Sequence, residues 1–251
     1  MELDYPMMKT QGTLIQMNKV ITYGDSWSIG TGLDIEYSHP IHMDLTSMPI
    51  IPHEEIEKWN EKPYVYHVAQ ELGAKSMIRA NVGKSLGVIA ETLIKDVTNP
   101  IDNKDFKKYI LDDKTLVLIM VPPDTRWYTH DEDNEDSFTE LRIGTEEHKY
   151  WLGNKGRYWF EYHQSMFIST IHQVLRHHGI PYLTMNNLGK FGVFECIDSL
   201  RPLIDWDKHM YRDSDLTSRL QRGHDFAFDN EHPNIDGHKK ISKWILEKIN
   251  K

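Results

Sequence analysis

The chain has 251 residues, 39% of them hydrophobic and 27% charged, an ordinary globular balance that suits one domain with a full core. Its formal net charge is −9 with no Lys/Arg-rich stripe, which argues against nucleic acid as the main partner, because phosphate binding needs clustered positive charge. No run approaches the ~20 apolar residues of a membrane span, no secretory leader pattern opens the chain, and the single cysteine, Cys196, excludes an intrachain disulfide and favours a reducing compartment.

Residues 1–18 read as an N-terminal extension, since Met17-Asn18-Lys19-Val20 resembles a natural start just before the first strand. Residues 19–251 read as one elaborated domain, with insertions near 34–62, 124–156 and 186–227. The apolar, β-branched run 19–23 predicts a buried strand. A helix follows over 64–73, with Pro63 at its start and Gly73 at its stop. A second strand is expected over 76–81 and a second helix over 86–96, with Leu86, Ile89, Ala90 and Leu93 on one face. Another helix is expected near 103–110. The unbroken apolar run 115–121 predicts a strand buried on both faces, as in a parallel sheet, and Pro122-Pro123 ends it. A long helix over 158–178 buries Phe160, Phe167, Ile171, Val174 and Leu175, and Gly179 ends it. A strand at 180–185 and a last helix over 235–249, capped by Asn234, complete the set. Strands alternating with helices predict a parallel sheet covered on both faces. Its ligand site should lie beyond the strands' C-terminal ends, where all three insertions leave.

Three short blocks carry chemistry. Gly24-Asp25-Ser26 follows the first strand directly, and Gly30 and Gly32 keep the next turn slim. By itself this is equally a plain strand-to-loop turn. Phe228-Asp229-Asn230-Glu231-His232-Pro233-Asn234 precedes the last helix. A carboxylate three residues before a histidine can curl back onto Nδ1–H, fixing the tautomer and leaving Nε2 free as a base. A serine hydroxyl is a poor nucleophile until such a base takes its proton. By itself this block is equally a helix-capping turn. Asn81-Val82-Gly83-Lys84-Ser85 follows the second strand, where a glycine N–H can approach a reacting carbonyl closely.

Taken together, and in this order, the blocks resemble the SGNH/GDSL hydrolase superfamily over roughly residues 19–249, the insertions aside. The resemblance implies a flavodoxin-like three-layer α/β/α sandwich and ester hydrolysis. It implies Ser26 as nucleophile, His232 as base and Asp229 as the residue that orients it. It also implies an oxyanion hole with the N–H groups of Ser26 and Gly83 and an asparagine side chain. One block departs from the pattern: where the family carries Gly-x-Asn-Asp, this chain has Val121-Pro122-Pro123-Asp124. Losing one oxyanion donor costs ~100- to 1000-fold in rate. Arg126, Asn81, Asn186 and Asn187 are the candidate substitutes.

Other features carry plain readings. The acidic run 131–136 lacks the glycine and the final glutamate of a calcium loop, so it reads as solvated and no metal is expected. His177 and His178 read as helix-end caps, and His238 as a surface residue. Trp127, Tyr128, Tyr150, Trp151, Tyr158 and Trp159 form either the core of the second insertion or a sugar-stacking rim. The expectation is therefore a cofactor-free serine esterase acting on a small-molecule or carbohydrate ester, with no nucleic-acid or membrane partner and an open oligomeric state. Its expected location is cytoplasmic or virion-associated. The alternative is a catalytically weak or inactive module of the same fold, used for binding or structure, for example in a virus particle.

Overall fold

The computed structural model describes residues 8–10, 13–33, 48–81, 84–98, 111–122, 127–130, 138–141, 146–187, 200–210, 215–229 and 231–250. An antiparallel pair, β1 (Met8–Thr10) and β2 (Thr13–Ile15), precedes β3 (Lys19–Gly24) and α1 (Ser26–Ile29). Next come β4 (Ile50–Ile51), α2 (His53–Ile56), α3 (Tyr64–Glu71), β5 (Lys75–Ala80) and α4 (Leu86–Thr98). Then follow β6 (Thr115–Val121), a second antiparallel pair of β7 (Trp127–His130) and β8 (Phe138–Leu141), and α5 (Glu146–His177). The chain closes with β9 (Tyr182–Asn186), β10 (His209–Met210), α6 (Leu216–Arg219) and α7 (Ile235–Ile249).

The main sheet has the order β10-β9-β6-β3-β5-β4. All neighbours pair in parallel except β4, which lies antiparallel at one edge. Without β4 the order is the doubly wound one in which the first strand lies between the second and the third. The ligand crevice of such a sheet opens where the strand order reverses, beyond the C-terminal ends. Here that point lies between β3 and β6, and β3 delivers Gly24-Asp25-Ser26 to it.

Alternating side chains build the two covering layers. On β6, Leu116, Leu118 and Met120 join a core with Val65 and Val68 of α3 and Ile241 and Ile245 of α7. Val117, Ile119 and Val121 join the opposite core with Ile89 and Leu93 of α4 and Ile168, Ile171 and Leu175 of α5. The result is the α/β/α sandwich expected from the strand–helix alternation. The structure differs in detail. Helix α5 starts at Glu146 rather than at 158, running through Gly153, whose Cα faces open space. An exposed glycine costs a helix only ~1 kcal/mol, which 32 residues absorb. Two-residue strands β4 and β10, too short to show a period, extend both edges of the sheet. The helix expected near 103–110 lies outside the described residues.

One buried ion pair ties β5 to α4. Arg79 Nε donates to Asp96 Oδ2 at 3.1 Å, and the Tyr23 hydroxyl donates to the same oxygen at 2.8 Å. Burial pushes the Asp96 carboxyl up, against the opposing pull of Arg79. Removing one member of a buried pair strands the other charge. Arg79→Met is therefore expected to cost about 3–5 kcal/mol in urea unfolding. A loss below about 1 kcal/mol would contradict a structural role for the pair.

Candidate active site

The serine turn is built from its own residues. Asp25 caps α1, its Oδ1 accepting from Trp27 N–H at 3.1 Å. Gly30, at φ 90°, ends the helix after one turn. Only glycine fits at position 24, because a Cβ there would collide with Ser28 Oγ and sit 2.8 Å from Met120 Cβ. Beneath the turn lies a buried hydroxyl cluster. Tyr64 OH is 2.5 Å from Thr22 Oγ1 and 3.1 Å from Ser28 Oγ, and burial pushes this phenol up to about 12. Trp27 packs edge-on against Phe226 at 6.3 Å, anchoring α1 to the segment that carries the histidine.

That segment is equally fixed. Asp229 Oδ1 accepts from the N–H groups of Glu231 at 2.9 Å and His232 at 3.0 Å. Its Oδ2 lies 2.6 Å from His232 Nδ1. The Asn234 side chain caps α7, accepting from the N–H groups of Asp236 and Gly237, and its Nδ2 donates to the carbonyls of His224 and Phe226. Ala227 N–H donates to His232 C=O at 2.8 Å. The partial burial of Asp229 pulls its carboxyl upward, but hydrogen bonds from the Glu231 backbone and from His232 outweigh that and hold it below the usual range. An ionised carboxylate only accepts, so His232 Nδ1 donates to it, which in the neutral ring leaves the lone pair on Nε2. Ser26 Oγ stands 2.9 Å from that Nε2. The three residues expected to work together thus form one hydrogen-bonded chain, although 206 residues separate Ser26 from His232. Ser26 is nearly enclosed, whereas the Asp229 side chain is 43% exposed.

Gly32 determines how closely the two halves approach. With φ at +101°, a Cβ there would lie 2.9 Å from His232 Cβ and 3.0 Å from Ala227 Cβ. Gly32→Ala should therefore displace the histidine and lower any Ser26-dependent turnover by about 10- to 100-fold, with the circular dichroism unchanged. Activity within about twofold of wild type would show that His232 is not held through this contact.

The other expected residues divide. Gly83, Arg126, Cys196, the acidic run 131–136 and the side chains of Trp127, Tyr128, Trp151 and Tyr158 lie outside the described residues. Asn81, Asn186 and Asn187 are buried at the strand ends. Asn187 Nδ2 donates to Asp25 Oδ2 at 2.7 Å. No local signal links those two residues in the sequence. His238 is not on the surface: it is fully buried, stacks on Tyr64 at 5.9 Å and accepts the Tyr64 N–H on Nδ1. A signal for this exists, since 238, 241, 245 and 249 fall on one helix face. Among the described residues, no group of three or more His, Cys, Asp or Glu is arranged to hold a metal ion, and no helix is long and apolar enough to cross a membrane. A groove of about 580 Å³ lies between α3 and α7, lined by His67, Lys239, Lys243 and Leu246 among others; none of Ser26, Asp229 and His232 lines it.

No family model matches the chain, and no curated protein matches it in sequence. Solved structures do match. A lipase from a goat rumen metagenome is 13% identical over 92% of this chain and 97% of its own, with a TM-score of 0.50. A carbohydrate esterase whose active site has catalytic and non-catalytic binding functions is also 13% identical, over 96% of this chain and 72% of its own, with a TM-score of 0.50. An acetylxylan esterase from Geobacillus stearothermophilus matches at 12% identity over 95% and 96% of the two chains, with a TM-score of 0.49. At these identities the likeness is one of fold.

Proposed function

We propose that this chain is a serine ester hydrolase of the SGNH type that removes a short acyl group from a carbohydrate or similar small ester. One observation carries the reading: the continuous chain from Ser26 Oγ to His232 Nε2 at 2.9 Å and from His232 Nδ1 to Asp229 Oδ2 at 2.6 Å. In the proposed cycle, Ser26 Oγ attacks the ester carbonyl while His232 Nε2 takes its proton. The tetrahedral intermediate collapses, the C–O bond to the alcohol breaks, and His232 returns the proton to the departing alkoxide. Water then attacks the acyl-enzyme with His232 again as base, and collapse releases the acid and restores Ser26. Asp229 holds the imidazole and stabilises its protonated form. The N–H groups of Ser26, at the start of α1, and of Gly83 are the proposed oxyanion donors.

Two points support the substrate class. The fold is shared with a carbohydrate esterase, and Phe228, adjacent to Asp229, projects fully into solvent where it can stack on a sugar ring. A second reading, a weakly active or inactive binding module, draws on Val121-Pro122-Pro123-Asp124, which has neither the glycine nor the asparagine donor of the family's third block. Hydrolysis of p-nitrophenyl acetate separates the two. The enzyme reading expects turnover that disappears in Ser26→Ala and His232→Ala; equal rates in all three proteins would remove it.

A further inference from the structure

We propose that Asn187 is a positioning residue for the nucleophile: its amide holds Asp25, and Asp25 holds the turn that presents Ser26. The inference rests on the serine-hydrolase reading above. Asp25 is completely buried, and a buried carboxylate is tolerated only where donors meet its oxygens. Oδ1 accepts from Trp27 N–H at 3.1 Å, closing the first turn of α1 around Ser26. Oδ2 accepts from Asn187 Nδ2 at 2.7 Å. With one bond on each oxygen, the plane of the Asp25 carboxyl group is fixed.

Asn187 is itself anchored on two further sides. Its N–H donates to Val121 C=O at 3.1 Å, at the end of β6. Its C=O accepts from Thr217 N–H at 3.1 Å and from Thr217 Oγ1–H at 2.6 Å, in α6. One residue thus joins the ends of β6 and β9, the α6 segment and the serine turn. It does so beside Val121-Pro122, where the family's third block is missing. Neither neighbour in size can replace it. Leucine at 187 offers Oδ2 no donor, and aspartate there sets two carboxylates against each other. Either change removes one of the bonds that hold Asp25 and is expected to lengthen the 2.9 Å approach of Ser26 Oγ to His232 Nε2.

The test exchanges the two side chains. Asn187→Asp alone creates an acceptor–acceptor contact, whereas Asp25→Asn alone keeps one bond, because the Asn187 amide can turn over and accept on Oδ1. Together they restore one donor and one acceptor with the sense reversed. Asn187→Asp should lower kcat on p-nitrophenyl acetate by about 10- to 100-fold while KM stays within about threefold, and Asp25→Asn should lower it less. The combined variant should recover at least about tenfold over the worse single one. Labelling of Ser26 by a fluorophosphonate should slow and recover in parallel, a readout that a general loss of stability would not restore. Asn187→Asp with wild-type kcat, or a combined variant no better than Asn187→Asp, would overturn the role. Ser26→Ala run alongside separates the failures. If it kills turnover and the exchange brings no recovery, only the role of Asn187 falls; if it turns over like wild type, the nucleophile falls and the positioning role with it.

Discussion

Replacing Ser26 by alanine is expected to lower ester hydrolysis by about 10⁴- to 10⁶-fold, and replacing His232 by alanine is expected to do the same. The reason is mutual dependence. Without a base, the hydroxyl of Ser26 stays protonated and barely nucleophilic; without the hydroxyl, His232 Nε2 has no proton to take. Ser26→Ala combined with His232→Ala should therefore be no slower than either alone, because the two groups act as a unit. Asp229→Asn should cost less, about 10²- to 10⁴-fold. Its side chain is 43% exposed, so solvent supplies part of what the carboxylate gives the imidazolium. Single-turnover kinetics on p-nitrophenyl acetate provides the measurement. Losses that multiply in the combined variant would show that the two residues do not act together.

A steep fall in stability between pH 6.5 and pH 4 is the second large effect expected. Three buried histidines drive it. Burial lowers His172 to about 4, and His209 and His238 to about 3, from an ordinary value near 6.5. The groups around them modify this. Asp205 pulls His172 upward while Arg176 pushes it down; His209 feels His172 and Lys248; His238 feels His67 and His232. The hydrogen bonds agree with neutral rings. Asp205 N–H donates to His172 Nδ1 at 3.1 Å, and Tyr64 N–H donates to His238 Nδ1 at 3.2 Å, so both nitrogens must keep their lone pairs.

The sign follows from proton uptake. Below pH 6.5 the unfolded chain protonates these rings and the native chain does not, so acid favours unfolding. The stabilisation is complete above about pH 6.5 and is lost as pH falls toward the native values. Each histidine contributes about 1.4 kcal/mol per pH unit within that window, so three together approach about 4 kcal/mol per unit. A total stability of about 5–10 kcal/mol would then be exhausted near pH 5 to 4. His67, lowered by its partial burial, works in the same sense, and Asp96, pushed up by burial, works against it. Calorimetric Tm should be flat above pH 7 and fall steeply below 6.5. A Tm unchanged down to pH 5 would mean that the rings are hydrated in the native state.

Much of this architecture was legible in the sequence where a period had room to repeat. The run 115–121 became β6, and the 3.6-residue stripe over 235–249 became α7, because burial on two faces and on one stripe leaves a pattern. Asp229 and His232 were legible because their contact is local, three residues apart. The rest depended on distance or brevity. The hydrogen bond between Asn187 and Asp25 spans 162 residues, and no local rule connects them. Strands β4 and β10 are two residues long, which is less than one period. His238 was misread because its polarity outweighed its place on the buried stripe; Tyr64, which stacks on it and donates to it, comes from a distant helix. The Gly-Asp-Ser turn alone was ambiguous, and what distinguishes it from an ordinary turn is the histidine brought within 2.9 Å of it.

The central claim is that His232 activates Ser26 as a nucleophile. The most direct measurement is covalent labelling of the whole protein by a fluorophosphonate, with the adduct located by peptide mass spectrometry. Stoichiometric labelling is expected at Ser26 in the wild type, none in Ser26→Ala, and labelling slowed by at least about 10³-fold in His232→Ala. A folded wild-type protein that takes up no label, or takes it up equally fast without His232, would contradict it.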